Sequence, residues 1–423
     1  MDKNIGFVSF RIAGTDGVSL ELKKWADVFE RNGDRCFYFA EELDTPEHCS
    51  FKSEYAHFKN PEIAKINAEI YGRSKRDPSI TAKIHYYRKR LKREISDFVD
   101  KYKIDVLVPQ NAVTIPLNIS LALALTEYIA ETEIKTIAHH HDFFWERKRF
   151  LRNCVWDYFN MAYPPHLPSV EHVVINSSGQ NQLALRTGIS STLIPNVMDF
   201  NKPAPGKDDY NRDIKQALGI REDEIVILQP TRVVQRKGIE HAIELVSRLG
   251  EKAVFVISHA SGDEGHEYEC RVKDYAELMG IRAIFVSELI DDKRDMKNGR
   301  KIYTLQDLYP YADFVTYPSL IEGFGNAFLE TIYFKKPILV NNYSIYSTDI
   351  KPKGFEVVEM DDFITDETVQ QVKDVLRYSE MRERMVHKNF NIARCFYSYE
   401  VLEEKLMDLM TRFWGTTEFC RED

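Results

Sequence analysis

Short apolar runs, each bounded by polar or turn-forming residues, alternate with stretches of helical periodicity from one end of this chain to the other. Few folds accommodate that rhythm. A strand apolar on both faces must be covered on both, and parallel neighbours need a helix-length crossover, so the pattern predicts doubly wound α/β architecture. Predicted strands in the first half are Ile5–Phe10, Cys36–Ala40, Val106–Pro109, Lys135–Ala138, His172–Asn176 and Ser191–Ile194. In the second half they are Ile225–Gln229, Ala253–Ile257, Ala283–Val286, Asp313–Tyr317 and Ile338–Val340. At 423 residues the chain is longer than one ordinary domain. The run PNVMDFNKPAPGKDD, with three prolines and a glycine, predicts an exposed linker over Pro195–Asp209. The expected architecture is two Rossmann-like doubly wound domains facing across a cleft, residues 1–196 and 197–385.

Composition removes several alternatives. A hydrophobic share of 43% with 29% charged residues is globular. The formal charge of −9 lacks the basic footprint of a nucleic-acid binder. Six cysteines without a CxxC pair suit reduced thiols better than a disulfide framework or a zinc site. MDKNIGFVSF runs almost at once into a strand, so no signal peptide is expected. The most apolar window, Ile115–Ala130, is interrupted by Asn118 and Glu127 and is too short for a bilayer. A soluble cytoplasmic protein is expected.

One section breaks the rhythm. Residues 41–81 form a polar insertion ahead of a helix carrying Lys83, Arg88, Lys89, Arg90, Lys92 and Arg93. The same helix places Ile84, Tyr87, Leu91, Ile95 and Phe98 at helical spacing. The expected reading is a surface helix packing that stripe on the sheet; contact with a membrane surface or an acidic acceptor is the alternative.

Four motifs carry chemistry. In YPSLIEGFGNAFLE, a predicted strand end leads through a Gly-Phe-Gly turn into a helix from Asn326, with Glu322 and Glu330 eight residues apart. Such a turn leaves backbone N–H groups free at a helix start, where anions bind. In ILQPTRVVQRKGIEHAI, Arg232 and Lys237 lie on the loop leaving the second domain's first strand and suit a pyrophosphate. Arg236, beside Lys237, is expected to point away. In RIAGTDGVSLELKKWA, Gly14 and Gly17 bracket a tight turn before a helix opening at Ser19–Leu20. In IAHHHDFFWERKRF, side-chain alternation along a strand separates His139, His140 and His141, which argues against a metal site. One imidazole is expected to face the cleft and another to be structural. Asp142, Trp145, Arg147 and Arg149 follow; paired arginines beside an aromatic suit a carboxylate, a phosphate or sugar hydroxyls, or simply an ion-paired turn. No Ser-His-Asp or Cys-His arrangement appears.

In order and spacing these motifs resemble family-4 retaining glycosyltransferases of the GT-B fold over nearly the whole chain. The resemblance rests on the Gly-rich first loop, TRVVQRKGI, SLIEGFGNAFLE and a C-terminal FYSYEVLEEKLMDLM helix. It implies a nucleoside-diphosphate sugar donor, no bound metal or other cofactor, and transfer of glucose or mannose. Arg232 and Lys237 would bind the diphosphate, Glu322 would sit at the transferred sugar, and the N–H groups of Phe324, Gly325 and Asn326 would lie near sugar and phosphate. Glu330 would take the ribose hydroxyls and Gly17 would lie against the diphosphate. His141 would touch the reaction centre, with His140 as the fallback. Residues 386–423 would cross back onto the first domain. The insertion and the HHHDFFWER run fall outside the general family pattern and are read as acceptor elements: His140, Trp145, Arg147 and Arg149. With the basic helix, they point to a small anionic acceptor, a glycerate-type solute or a sugar phosphate. A lipid-linked or polysaccharide acceptor, an epimerase or phosphorylase, and a non-catalytic nucleotide-sugar-binding module are the alternatives. UDP and GDP sugars both remain open, as does the oligomeric state.

Overall fold

The apolar runs assemble into two all-parallel sheets. The computed structural model describes residues 2–14, 16–250, 252–260 and 266–415. It divides into one unit of residues 1–197 joined by the segment from Tyr399, and a second unit, Met198–Ser398. In the first, seven strands lie in the order Ser50–Lys52, Arg35–Ala40, Asn4–Val8, Val106–Pro109, Lys135–His140, Val170–Val174, Thr192–Leu193. In the second the order is Arg282–Phe285, Ala253–Ile257, Ile225–Gln229, Phe314–Tyr317, Ile338–Asn341, Val358–Met360. Every pairing within these two sheets is parallel. In each, the chain winds outward from a central first strand in one direction and then returns to wind the other way. The loops leaving the two strands at that reversal diverge, which opens a crevice at their C-terminal ends.

Local chemistry sets the helices beside those crevices. Asp16 caps Gly17–Arg31 by accepting from the N–H groups of Val18 (3.1 Å) and Ser19 (3.2 Å). That helix buries Leu22, Trp25, Ala26 and Phe29. The predicted strand His172–Asn176 ends instead at Val174, because Asn176 caps the next helix, Ser177–Thr187, through Gly179 N–H at 2.7 Å. The predicted Ala283–Val286 strand is Arg282–Phe285, and Val358–Met360 is an edge strand absent from the prediction.

The insertion is more structured than its polarity suggests. Ser50–Lys52 extends the sheet by pairing with Arg35–Ala40, and helix Pro61–Ile70 buries Ile63, Ile66 and Ile70. Removing such a side chain from water stabilises a fold by roughly 1.5–3 kcal/mol. The basic helix, Pro78–Tyr102, buries the whole stripe of Ile84, Tyr87, Leu91, Ile95 and Phe98. Some of its charges are engaged too: Arg88 pairs at 3.0 Å and Lys92 at 3.6 Å with Glu127 of helix Ile119–Thr132. The apolar face is therefore used within the unit. Among the described residues no helix is long and apolar enough to cross a membrane.

Two boundaries differ from expectation. Within Pro195–Asp209, Val197 is 0% and Phe200 5% exposed, and Phe200 packs edge-on against Phe390 at 5.1 Å. Only the later part of that stretch is an exposed connection. The return was expected from 386, yet helix Ser379–Phe396 stays in the second unit, where Asn389 bonds the backbone of Glu356 in both directions (2.6 and 2.7 Å). Helix Tyr399–Trp414 is what joins the first unit. Leu402, Leu406, Leu409 and Met410 follow helical spacing and bury with Trp25, while Arg412 pairs with Glu171 at 2.9 Å. Leu406→Ala should therefore lower stability by about 2–5 kcal/mol. Urea unfolding checks this; an unchanged midpoint would remove the helix from the first unit's core.

Candidate active site

In the second unit, strands Ile225–Gln229 and Phe314–Tyr317 are neighbours in register, Ile227 opposite Phe314. Their outgoing loops carry the two strongest motifs, and the loops are fastened together. Leu320 N–H donates to the Arg236 carbonyl at 2.8 Å. Gly238 has φ +59, and a Cβ there would sit 2.5 Å from the Pro318 carbonyl oxygen, so only glycine permits this approach. The closest link is between side chains. Lys237 Nζ donates to Glu322 Oε1, and Arg236 Nη1 donates to Glu322 Oε2 at 3.1 Å. Arg236 thus points towards the acid, not away from it, because the tight turn Gln235–Lys237 turns both consecutive cations inward.

Lys237 is only 8% exposed. Burial pushes its ammonium pKa down, and Glu322 pulls it back. Burial also pushes the Glu322 carboxyl up, but Lys237 and Arg236 outweigh this and hold it below the usual range. The pair is ionic. Arg232 is exposed, and its charge reaches both Lys237 and His259. His259 follows strand Ala253–Ile257, with Nδ1 2.6 Å from Ser258 Oγ; burial first, then Arg232 and Lys237, push its pKa down. It escaped the sequence analysis because a lone histidine after a strand carries no spacing signal.

The acid turn ends at Gly325, whose φ of +129 and close approach to Tyr343 Oη (2.7 Å from a hypothetical Cβ) exclude other residues. Tyr343 donates to the Phe324 carbonyl at 2.7 Å, and Phe324 is buried against Tyr397. Helix Asn326–Tyr333 starts there, so its first N–H groups lie beside the Glu322 turn. Glu330 is half-buried on the same helix, accepting from Tyr309 Oη at 3.3 Å.

The first unit has its own hollow, about 190 Å³, at the reversal between Asn4–Val8 and Val106–Pro109. Ser9, Arg11, Asp16, Asn111, Asp142, Arg147 and Arg149 supply its polar lining, and Phe58 of the insertion part of its apolar wall. Arg11 pairs with Asp16 at 3.0 Å, and Arg147 with Asp142. Asn111 is left-handed, φ +56; its Oδ1 accepts from His141 N–H at 2.9 Å and its Nδ2 donates to Asp142 Oδ1 at 3.4 Å. Strain of that kind in a non-glycine residue concentrates at functional sites. Gly17 is exposed in the first turn of the helix that Asp16 caps.

The three histidines separate as alternation requires. His140 is 1% exposed, bonded through Nδ1 to Thr114 and through Nε2 to His172 Nδ1 at 2.9 Å. Both ring nitrogens are occupied in the core, so the acceptor role expected of His140 is corrected to a structural one. Trp145 is half-buried and stacks on Phe143 at 4.4 Å. His139 stacks at 4.1 Å on Trp25, with neither ring nitrogen hydrogen-bonded. His141 faces Gln110 Oε1 at 3.2 Å; burial lowers its pKa to about 4 against the pull of Asp142 and Asp16, so it is neutral at pH 7. Among the described residues no group of three His, Cys, Asp or Glu could hold a metal ion.

A model of the family described as Glycosyl transferases group 1 matches residues 211–391. A mannosylglucosylglycerate synthase of Thermotoga maritima is 32% identical, over 95% of this chain and 98% of its own length. One of Petrotoga mobilis is 33% identical, over 84% and 86% respectively. Among solved structures, a glycosyltransferase of Rickettsia africae superimposes with a TM-score of 0.71 at 13% identity, covering 98% of this chain and all of that one. That likeness shows the fold, GT-B.

The buried imidazoles give this unit a pH dependence. Burial holds His139 and His140 neutral, pushing their pKa values well below the usual range, and lowers His172 to about 4. In the unfolded chain each takes a proton near pH 6.5. Stability is thus fully present above about pH 6.5 and is lost as pH falls from there, for His172 down to about pH 4, by roughly 1.4 kcal/mol per pH unit for each histidine still neutral in the fold. In His139→Phe the denaturation midpoint at pH 7.5 should hold or rise, and its fall to pH 5 should be shallower by about one proton. An identical slope in the variant would mean His139 already titrates in the folded state.

Proposed function

The chain belongs to the group 1 glycosyltransferases, and on that premise we propose that it moves a hexosyl group, glucose or mannose, from a nucleoside-diphosphate sugar to a glycerate-type acceptor. The observation that carries this is the joining of buried Lys237 and partly exposed Arg236 to Glu322 beside the start of helix Asn326–Tyr333. Cations, N–H donors and a carboxylate converge at the reversal point of an open parallel sheet, where such sheets bind ligands. Arg232 and Lys237 hold the diphosphate, each through charge-assisted bonds of roughly 1.5–3 kcal/mol. Glu322 accepts hydroxyls of the transferred sugar, the N–H groups of Phe324, Gly325 and Asn326 face sugar and phosphate, and Glu330 takes the ribose. His141, neutral, donates or accepts a single hydrogen bond near the acceptor, and Gly17 exposes backbone in the first unit. The glycerate reading draws on the two mannosylglucosylglycerate synthases and on the arginines of the first unit's hollow.

The proposed reaction is one that this set of groups suits. The bond from the sugar's anomeric carbon to the diphosphate oxygen breaks, a bond to the acceptor oxygen forms, and the acceptor proton passes to the departing phosphate oxygen. Attack from the leaving group's side retains configuration. Lys237 and Arg232 stabilise the charge growing on the diphosphate, work that a divalent metal does elsewhere.

Purified protein incubated with UDP- and GDP-activated glucose and mannose, plus D-glycerate or glucosylglycerate, should yield a glycosylated sugar acid of the donor's anomeric configuration, unaffected by EDTA. At saturating donor, Lys237→Ala should reduce turnover at least a hundredfold. Glu330→Ala should chiefly weaken nucleotide binding, read by titration calorimetry. Near-normal turnover in the Lys237 variant would overturn the assignment.

A further inference from the structure

We propose that Asp16 and Asp142 make the hollow of the first unit a selectivity filter, admitting an acceptor with a single carboxylate and rejecting its phosphorylated counterpart. This rests on the glycerate-type reading above and assigns residues that decide between its members. Three guanidiniums, Arg11, Arg147 and Arg149, face two carboxylates, Asp16 and Asp142, so the polar wall carries one net positive charge. Two of the arginines are already joined to those acids. A carboxylate needs only one guanidinium, which it meets two-pronged. A phosphomonoester brings close to two negative charges and three acceptor oxygens into the same space, and each carboxylate repels it.

Neither acid can readily turn away. Asp16 Oδ1 is held by Val18 and Ser19 N–H groups and Oδ2 by Ser19 Oγ at 2.6 Å, which fixes it as a helix cap. Asp142 is tied to Asn111 Nδ2 and to Arg147. Asn111 in turn holds the backbone at His141 through its Oδ1. Asp16 has both oxygens filled by those cap donors and Arg11 and acts through its charge, whereas Asp142 Oδ1 keeps a lone pair that a hydroxyl of a sugar or of glycerate satisfies and a phosphate oxygen does not. Phe58 and Ile115 supply apolar wall for the carbon face of such a ligand.

Substitution by asparagine removes charge while keeping shape, and Asp16→Asn retains a residue that caps helices well. Binding of glucosylglycerate and its phosphorylated form, and of D-glycerate and 3-phosphoglycerate, would be measured by calorimetry on the wild-type protein, Asp16→Asn and Asp142→Asn. Nucleotide binding and circular dichroism serve as folding controls. The wild type should favour the unphosphorylated member of a pair by at least tenfold. Either variant should narrow or reverse that preference by about tenfold, with nucleotide affinity unchanged. A wild type that prefers the phosphorylated member, or folded variants with unmoved preference, would overturn the filter while leaving the glycerate-type acceptor standing. If the wild type bound none of these probes yet bound nucleotide, the acceptor reading would fall, and the filter with it.

Discussion

Lys237 and Glu322 form a buried ion pair, and the arrangement of the second unit's site depends on it. Taking two charges out of water costs several kcal/mol per ion, and a well-packed apolar pair of similar volume often serves stability as well or better. The fold tolerates this pair only because further groups join it: Arg236 shares the carboxylate, and Leu320 N–H fastens the two loops through the Arg236 carbonyl. A costly arrangement held by so many supports makes sense as preorganised charge. Its members are fixed before any anion arrives, and fixed charges need no rearrangement during a reaction.

The parallel sheets explain why such groups gather at strand ends. Both units wind outward from a central strand and reverse beside it, and in both the loops at that reversal carry the polar residues. In the second unit these are Arg232–Lys237 and Ser319–Gly325; in the first, Ser9–Asp16 and Gln110–Leu117, with His141–Arg147 from the next strand. The strands themselves are buried throughout at the centre, with Asn4–Val8, Ala253–Ile257 and Ile338–Asn341 closed to solvent along their length. The rigid interior positions the loops, and the loops are free to vary in chemistry.

How much could be read in advance followed from how local each feature is. Central strands were legible because apolar runs such as Ile225–Gln229 and Ala253–Ile257 leave no alternative. The edge strands Ser50–Lys52 and Val358–Met360 were not, since three residues with a charge among them carry no period. Lys237 and Glu322 were legible as residues of strand-end loops, but their ion pair was not, because alternation does not say which strands are neighbours. Arg236 was misjudged because neighbouring side chains diverge on a strand or helix, whereas the turn Gln235–Lys237 brings both to one carboxylate. The register of His139–His141 was unreadable for a related reason. The strand continues to His140, two residues beyond its predicted end, so His140 is committed to the core and its bond with His172.

The hollow of the first unit marks the limit of sequence reading. Arg11 and Asp16, Phe58, Asn111, and Asp142 with Arg147 come from four separated stretches, and no spacing rule relates them. What brings them together is the sheet order, which sets Asn4–Val8 beside Val106–Pro109 and that strand beside Lys135–His140. Phe58 arrives by another route, through an insertion whose isoleucines anchor it to the same core. Under the proposed function, a diphosphate is common to many donors, so the cations proposed to hold it sit in short recurring loops that a sequence displays. An acceptor is particular to one enzyme, and the residues proposed for it come from wherever the fold delivers them. The two halves of the proposed reaction differ in legibility because they differ in how widely their chemistry is shared.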